Sequence, residues 1–257
     1  MRVIFAILVI SGLVAVRSGD ETDWYPLLRK CKRNQTLLHL QPCIEDSIRS
    51  LQYYLKNNKI LFSRYEPYYE EEYYMFNKMK HFDGFLSLYN IQIKGLTDYT
   101  IKNRWIAPDF CQIKFDALFS NLQMEAMYYM KANIMGMNIT TSPSRNRMSA
   151  ELTRNKIVVI LEGEFYQKHH ANNDVKEHFR VRSVEVNLDI GWNDYFFDKI
   201  DRVRNVSINI NKHLKQNWWN VKSEVIDQLQ QSIATRIESI ANSIYKANSM
   251  KILMPYD

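Results

Sequence analysis

Glycine is scarce in this chain, with 7 residues in 257. A phosphate-binding loop needs clustered glycines so that the backbone can approach the phosphate groups, and no such cluster occurs. The Gly-x-Ser-x-Gly, His-Glu-x-x-His and Cys-x-x-Cys patterns are also missing. Since no nucleophile, base and orienting residue come together in the sequence, we predict a protein that is not an enzyme and uses no cofactor.

One group of residues that could ligate a metal is close together in sequence. His169 and His170 lie near Asp174, Glu177 and His178. These residues surround a predicted hairpin tip, where a solvated polar turn is far more common than a metal site. We therefore predict no metal site.

Long hydrophobic runs are missing apart from one at the N-terminus. This run covers residues 3–16, follows Met1-Arg2 and is followed by the small residue Ser18. It is shorter than the roughly 20 residues that cross a bilayer, and its basic start is typical of a secretory signal. We predict a signal peptide over residues 1–18 and a single domain over residues 19–257, secreted as a monomer with no membrane span.

The chain has no large excess of charge of either sign. The formal net charge is +6, and removal of Arg2 and Arg17 with the signal leaves 6 − 2 = +4. Such a mild excess, spread along the chain, does not indicate nucleic-acid binding.

Cysteine is limited to three residues. Cys31 and Cys43 flank a short polar segment and can close a disulfide loop that stabilises the fold by about 3 kcal/mol. Cys111 is then left over, and its place on the apolar face of a predicted strand favours a buried thiol that packs as a small hydrophobic residue. Three glycosylation sequons agree with export; they begin at Asn34, Asn138 and Asn205.

What the chain has in abundance is periodic apolar sequence, and the longest such stretch is residues 213–245. No Gly or Pro interrupts it, so we predict one helix of about thirty residues, roughly 45 Å long. Its apolar residues recur every three or four positions and form one stripe: Leu214, Trp218, Val221, Val225, Leu229, Ile233, Ile237, Ile240 and Ile244. Just before it, Val206, Ile208 and Ile210 alternate and predict a last short strand.

Between residues 81 and 190 the apolar period changes to two, which predicts successive β-strands. The first predicted face contains Phe85, Ser87, Tyr89, Ile91 and Ile93, and residues 95–98 then form a turn. A second face contains Cys111, Ile113, Phe115, Ala117 and Phe119. The longest contains Leu122, Met124, Ala126, Tyr128, Met130, Ala132 and Ile134. Further on, a change of parity near Arg182-Ser183 predicts a bulge.

Two segments precede these strands. Ile44, Ile48, Leu51 and Leu55 repeat at helical spacing and predict a short helix that starts at the Cys43 disulfide. Residues 65–74 mix tyrosine and glutamate without a clean period. A solvated loop edged by packed tyrosines and a mobile flap over a cavity mouth are both compatible with this composition.

The order of short helix, successive strands and long helix predicts the α+β class. Strands with long apolar faces can curl around the long helix, and such an interior need not be filled by side chains. The Tyr128 hydroxyl could then orient a ligand with a polar end. Packing explains Tyr128 equally well if its hydroxyl finds a backbone partner.

Three stretches resemble the takeout and haemolymph juvenile-hormone-binding protein family. The first is Asn211-x-x-Leu214-x-x-Asn217-Trp218, with the C-terminal Pro255-Tyr256-Asp257. The second runs Ile91-x-Ile93-x-Gly95-Leu96-x-x-Tyr99, and the third spans residues 128–139. The pair Cys31 and Cys43 is similar to the family's N-terminal disulfide. The chain departs from the family at Ala132 and Asn138, where the family has Gly and Pro.

The resemblance implies a strongly curved antiparallel sheet wrapped around one long C-terminal helix, with an elongated hydrophobic tunnel inside. It also implies a secreted carrier of a juvenile-hormone-like terpenoid or a fatty-acyl lipid in haemolymph or sensory fluid, without catalysis. The predicted ligand-binding residues are Tyr89, Ile91, Phe115, Met124, Tyr128, Met130, Val225, Leu229 and Ile233. The alternative is a family member with a filled tunnel that acts as an extracellular protein-interaction module.

Overall fold

The computed structural model of this protein describes residues 31–32, 36–57, 67–78, 80–141, 146–169, 174–198 and 206–254. Its elements are α1 (Leu37–Asn57), β1 (Tyr68–Lys78), β2 (Phe82–Lys94), β3 (Tyr99–Ile106), β4 (Gln112–Ile134), β5 (Met137–Thr140), β6 (Arg147–His169), β7 (Val175–Asp189), β8 (Trp192–Phe197), α2 (Val206–Ala247) and α3 (Met250–Leu253). The predicted signal peptide, Asn34 and Asn205 lie outside the described residues.

The eight strands form one antiparallel sheet. Its main path is β1-β2-β4-β6-β7, while β3 and β5 pair with β4 and β8 pairs with β6. The two central strands, β4 and β6, are 23 residues each, or about 75 Å at the rise of an extended strand. Strands of that length twist and coil strongly. Together with the long C-terminal helix, this sheet confirms the predicted α+β class.

Helix α2 is longer than the sequence pattern predicts. It has 42 residues, about 63 Å at the helical rise, and begins at Val206. The predicted strand over Val206, Ile208 and Ile210 is therefore wrong. Three alternating apolar residues are a weak indication of a strand. Since no Gly or Pro separates them from the helix that follows, the helix extends through them. The last strand is instead β8, which the sequence pattern did not indicate. Within the described ranges, no helix is apolar and long enough to span a membrane.

Two asparagine side chains join α2 to edge strands near its two ends. The Asn211 amide donates to the Phe197 carbonyl over 2.9 Å and accepts from the Phe197 N–H over 3.0 Å. Asn242 does the same with Val181, at 3.1 and 2.8 Å. Each amide thereby bonds both the N–H and the carbonyl of one residue of β8 or β7, as a neighbouring strand would. Backbone groups at the edge of the sheet thus gain the hydrogen-bond partners that they would otherwise lack.

The apolar side chains form two clusters. The α1 cluster lies under α1 and the C-terminal half of α2; its buried members include Leu40, Ile44, Phe115, Phe119, Val159, Phe179, Ile237 and Tyr245. The methionine cluster lies toward the start of α2; its members and close neighbours include Met75, Met124, Tyr128, Met130, Met148, Phe197, Leu214 and Val225. Helix α2 therefore passes over both clusters.

Strands β4 and β6 change face at the same level. Phe119 and Leu122 pack against the same α1 cluster although their numbers differ in parity. The partner strand contains Arg154 with a φ of 56°, and the Asn155 side chain donates to the Leu152 carbonyl over 2.8 Å. The register between the two strands is unchanged across this level, so both strands shift their apolar face together.

Within the tyrosine-rich and glutamate-rich stretch, residues 68–74 belong to a strand, and their interpretation as a solvated loop is wrong. Residues 68–78 pair with β2 from Tyr68 opposite Ile93 to Lys78 opposite Asp83. Tyrosine is favoured in strands because its ring packs on a pleated, half-buried surface. Tyr68 and Met75 are buried, while the glutamates between them reach solvent.

Helix α1 starts at Leu37, before its predicted start at Cys43. Its first turn forms at Thr36, whose carbonyl accepts from the His39 and Leu40 N–H groups over 3.0 and 2.9 Å. The predicted disulfide is present: Cys31 and Cys43 are bonded, with Cα atoms 5.9 Å apart. It therefore anchors the second turn of α1 to the preceding chain.

Two further local predictions are confirmed, and one is corrected. The turn at residues 95–98 is closed by Asp98 N–H donating to the Gly95 carbonyl over 3.0 Å. A bulge occurs at Arg182, because Glu162 pairs with Ser183 but Gly163 pairs with Val181. Cys111 lies before β4 and is half-buried, so its predicted position inside the apolar face differs from the observed one.

Candidate ligand-binding cleft

A cleft of about 1990 Å³ lies between α2 and the sheet. Strand β1 contributes Tyr69, Glu70, Glu71, Tyr73 and Tyr74 to its lining; α2 contributes Gln228, Gln231, Ser232, Thr235, Arg236, Ser239 and Ile240. The remaining lining residues come from β2, β4, β6, β8 and the residue that follows β8. They are Asn90, Gln92, Glu125, Ala126, Met127, Arg147, Met148, Ser149, Phe196 and Asp198. Polar side chains are the majority of this lining.

Polar contacts connect β1 to α2 across the cleft. The Tyr73 hydroxyl lies 3.2 Å from the Ser232 hydroxyl, and the Arg236 guanidinium lies 2.9 Å from a Glu70 carboxylate oxygen. Tyr68 also donates to Glu70. Burial, and then that hydrogen bond, raise the pKa of Tyr68 well above its ordinary value, so the hydroxyl stays protonated and keeps donating.

A third connection lies near the hairpin between β1 and β2. The Glu224 carboxylate accepts from the His81 and Phe82 N–H groups, at 3.1 to 3.3 Å. It also lies 2.9 Å from the His81 Nδ1. Because Glu224 is 9 % exposed, these donors supply the hydrogen bonds that a buried carboxylate requires. The hairpin is thus fixed to α2 by backbone groups as well as side chains.

The structure distributes most of the predicted ligand-binding residues over the two apolar clusters, and their role in binding stays a prediction. Ile91, Tyr128 and Met130 are buried in the methionine cluster, where Met124 and Val225 pack against them. Phe115 is fully buried in the α1 cluster, and Ile233 packs against that cluster. Leu229 is half-buried on α2. All nine predicted residues are described, and none of them lines the cleft.

Tyr89 lies on the opposite face from the one predicted. The buried apolar residues of β2 are Phe82, Leu86, Leu88 and, beyond an irregularity between Tyr89 and Gln92, Ile91; Ser87 is buried as well. Asn90 has a φ of 50° at that point. Because side chains alternate along a strand, Tyr89 points away from the face of Leu88, and the irregularity turns Ile91 back into the interior. Alternation alone cannot show such a shift.

The Tyr128 hydroxyl has a backbone partner. It donates to the Asp198 carbonyl over 2.9 Å, and the ring packs edge-on against Phe197 with centroids 5.0 Å apart. Burial, and then the charge of Asp198, raise the pKa of Tyr128 well above its usual range. The sequence left two interpretations of Tyr128, orientation of a ligand or packing with a backbone partner for the hydroxyl. The structure shows the second.

The sequence pattern missed the polar residues that line the cleft. Along α2 they recur at helical spacing: Gln228, Gln231, Ser232, Thr235 and Ser239. A polar stripe beside an apolar one ordinarily indicates a face turned to solvent. A solvated helix face usually carries charges. The signal of a cleft is that about three successive turns carry these uncharged side chains, which have both donor and acceptor atoms.

Two further candidate residues that the structure describes, Asn138 and His178, lie away from the cleft. Asn138 is exposed in β5, and its side-chain carbonyl accepts from Asn133 over 2.8 Å. His178 is buried, with Nδ1 2.9 Å from the Tyr245 carbonyl near the end of α2. In the part of the chain that the structure describes, no three metal-ligating side chains come together.

Known proteins share this arrangement of sheet and helix. The fold is similar to the crystal structure of Epiphyas postvittana Takeout 1, with a TM-score of 0.62 and 14 % identity, over 88 % of this chain and 99 % of that one. A crystal structure of lipopolysaccharide binding protein aligns at a TM-score of 0.35 and 10 % identity, over 81 % of this chain and 38 % of that one. No curated protein sequence matches. The model of the family described as haemolymph juvenile hormone binding protein matches residues 5–255. The chain belongs to the haemolymph juvenile hormone binding protein family.

Proposed function

We propose that this protein is a secreted carrier of an elongated apolar small molecule, of the terpenoid or fatty-acyl class, that it holds without catalysis. The family match supports binding of such a molecule. The observation that carries the proposal is the methionine cluster beside an open cleft. Met148 and Ala126 belong to that cluster or pack against it, and both also line the cleft.

A methionine-rich interior suits a carrier for a physical reason. Methionine has an unbranched, polarisable side chain that adapts to the shape of its neighbours. In this cluster Met124, Met135, Met137 and Met148 are only partly buried, so their side chains can move aside at low cost. An apolar chain that enters there gains about 25 cal/mol for each Å² of apolar surface removed from water.

The position where α2 passes from one cluster to the other is suited to a test. Leu229 is half-buried between Val225, which packs on the methionine cluster, and Ile233, which packs on the α1 cluster. We expect Leu229→Trp to fill space beside the ligand and to weaken binding of hexadecanol and of a sesquiterpenoid methyl ester at least tenfold. Calorimetric titration measures the affinity.

The matched control is Leu38→Trp, because Leu38 is 78 % exposed on α1. Its affinity should equal that of the wild type. Native mass spectrometry of the secreted protein tests the proposal independently, by the mass of co-purifying lipid. An unchanged affinity in Leu229→Trp would show that the ligand does not lie beside Leu229. No binding of either probe to the wild type, with no lipid in the mass spectrum, would contradict the carrier.

The alternative is an extracellular protein-interaction module, and one observation favours it. Phe115, Tyr128 and Met130 are 0, 2 and 1 % exposed, so the interior at these positions is filled by side chains. This candidate predicts that hexadecanol does not raise the unfolding temperature, because a filled interior has no site for it.

A further inference from the structure

We propose that the cleft between α2 and β1 binds the uncharged, hydroxyl-bearing or carbonyl-bearing end of an amphiphile and disfavours a carboxylate end. This inference rests on the proposed carrier function and narrows its ligand class. In this arrangement the polar end of the ligand occupies the cleft, and its apolar chain enters the methionine cluster.

The α2 wall of the cleft has the chemistry that an uncharged polar group requires. Gln228, Gln231, Ser232, Thr235 and Ser239 all line the cleft, and spacings of three and four place them on one side of the helix. Amide and hydroxyl side chains both donate and accept hydrogen bonds. A hydroxyl group on a ligand needs that combination because it both donates and accepts, and an ester carbonyl needs the donors because it only accepts.

The sheet wall adds amides and aromatic rings. Asn90 and Gln92 of β2 line the cleft, and the Gln92 amide donates to the Tyr69 hydroxyl over 2.6 Å. The Tyr69, Tyr74 and Phe196 rings are 56, 57 and 55 % exposed and line the cleft. Exposed rings offer apolar faces for the carbon-bound hydrogens of a polyol or ester, next to groups that bond its oxygens.

The charges of the lining oppose an anionic end. Four acidic residues line the cleft, Glu70, Glu71, Glu125 and Asp198, and two basic ones, Arg147 and Arg236, which gives 2 − 4 = −2. Arg236 is already paired with Glu70 at 2.9 Å. A carboxylate therefore enters a region of net negative charge, where like charges repel.

The floor of the cleft provides the route for the apolar chain. Ala126 is a buried member of the methionine cluster, and Met148 packs against that cluster; both line the cleft. Beyond them, Met124 and Val225 are only half-buried. A short side chain and a flexible one thus separate the polar cleft from the interior.

Three probes with the same C16 chain test the inference: 1-palmitoylglycerol, palmitate and hexadecanol, titrated at about pH 7.5, where a carboxylate is ionised. We expect the glycerol ester to bind at least tenfold more tightly than palmitate. The variant Gln231→Leu/Gln92→Leu removes one amide from each wall. Since each amide supplies hydrogen bonds to the ligand, affinity for the glycerol ester should fall about tenfold.

The control is Gln167→Leu, the same chemical change at an exposed position of β6 outside the cleft; its affinities should be those of the wild type. Circular dichroism confirms that each variant folds. Palmitate binding as tightly as the glycerol ester, or no loss in the double variant, would overturn the inference and leave the carrier standing. Failure of all three probes to bind would overturn both.

Discussion

Asp116 is a carboxylate in an interior position, 3 % exposed. It lies 2.8 Å from the Lys156 ammonium and accepts from the Asn103 amide over 2.5 Å. Burial acts to raise the pKa of Asp116, but the hydrogen bonds from Lys156 and Asn103 and the charge of Lys156 outweigh it and hold the pKa below its ordinary value. Asn103 has a φ of 50° in the β3 irregularity, which places its amide at the carboxylate.

Asp116→Asn should lower the free energy of unfolding by about 2 kcal/mol at pH 7, because a buried charge-assisted hydrogen bond is lost. The folded pKa lies below that of the unfolded chain, about 3.9. The stabilisation is therefore present above about pH 3.9 and disappears as the pH falls through the folded value. Urea unfolding at neutral pH and near pH 3 measures the difference between wild type and variant.

Asp174→Asn is the control, since Asp174 pairs with Lys176 at a position 55 % exposed. Exposed ion pairs contribute about 0–1 kcal/mol, so this variant should resemble the wild type at both pH values. If Asp116→Asn were equally neutral near pH 7, the buried pair would not contribute to stability.

Individual residues show where alternation in a sequence predicts a strand face and where it does not. The buried positions Tyr128 and Met130 follow from one long regular run of inward residues. Tyr89 does not, because the backbone at Asn90 adopts a positive φ that asparagine tolerates well and that leaves no mark on the apolar period. The hydrogen bond from Tyr128 to Asp198 could not be predicted either, because the accepting backbone carbonyl lies 70 positions away in sequence and a local pattern does not indicate it.

At the scale of elements, α2 is held to the sheet by amides as well as by its apolar stripe. Besides Asn211 and Asn242, the Gln230 side chain accepts from the Leu188 N–H over 2.8 Å. The Lys222 ammonium donates to the Ile190 carbonyl over 3.0 Å. The polar residues beside the stripe thus form hydrogen bonds with backbone groups along the exposed edge of β7. Without such partners, the edge of a strand can pair with another chain and lead to aggregation.

Asn242→Leu should destabilise the protein by about 2 kcal/mol, since both backbone groups of Val181 lose their partner at once. The Val181 amide should also exchange with solvent faster, which hydrogen exchange measures by mass spectrometry. Asn187→Leu on the same strand is the matched control, because the Asn187 amide bonds to a Glu185 side chain at the protein surface. Equal exchange at Val181 in both variants would show that the Asn242 amide contributes nothing.

Long elements were predictable and short ones were not. The period of α2 extends over about nine turns, so neither its existence nor its direction is ambiguous. Its first turn is the exception, because Val206, Ile208 and Ile210 fit the period of a strand as well. Strand β1 contains tyrosine and glutamate in no regular order, and only its pairing with β2 makes it a strand. The cleft followed from neither pattern, because side chains from five strands and α2 form it together.

At the scale of the whole molecule, the α1 cluster and the methionine cluster divide the interior into two parts. The α1 cluster is held at the chain's start by the Cys31–Cys43 disulfide, and Cys31 is itself fully buried there. Helix α1 adds hydrogen bonds from the Gln52 amide to the Thr97 and Tyr99 carbonyls, at 2.9 and 2.7 Å. The methionine cluster has no covalent link of this kind among the described residues.

Replacement of both cysteines, Cys31→Ser/Cys43→Ser, should lower the free energy of unfolding by about 3 kcal/mol, since the unfolded chain regains the freedom that the loop removes. The loss of hydrogen-exchange protection should be greatest in α1, at Leu40 and Ile44. Protection at Tyr128 and Met130 should change little. Cys111→Ser is the control for loss of a thiol, and equal effects at both clusters would contradict the division.

The simultaneous change of face in β4 and β6 has a consequence for how such a protein can be altered. Residues 121–153 form one uninterrupted stretch of chain that runs from the switch in β4, through β5, to the switch in β6. This stretch contributes Met124, Ala126, Tyr128, Met130, Ile139, Met148 and Ala150 to the methionine cluster. Because the register is the same on both sides of the switch, we expect that a relative's segment of equal length can replace this stretch without a change in the pairing of β4 with β6 outside it.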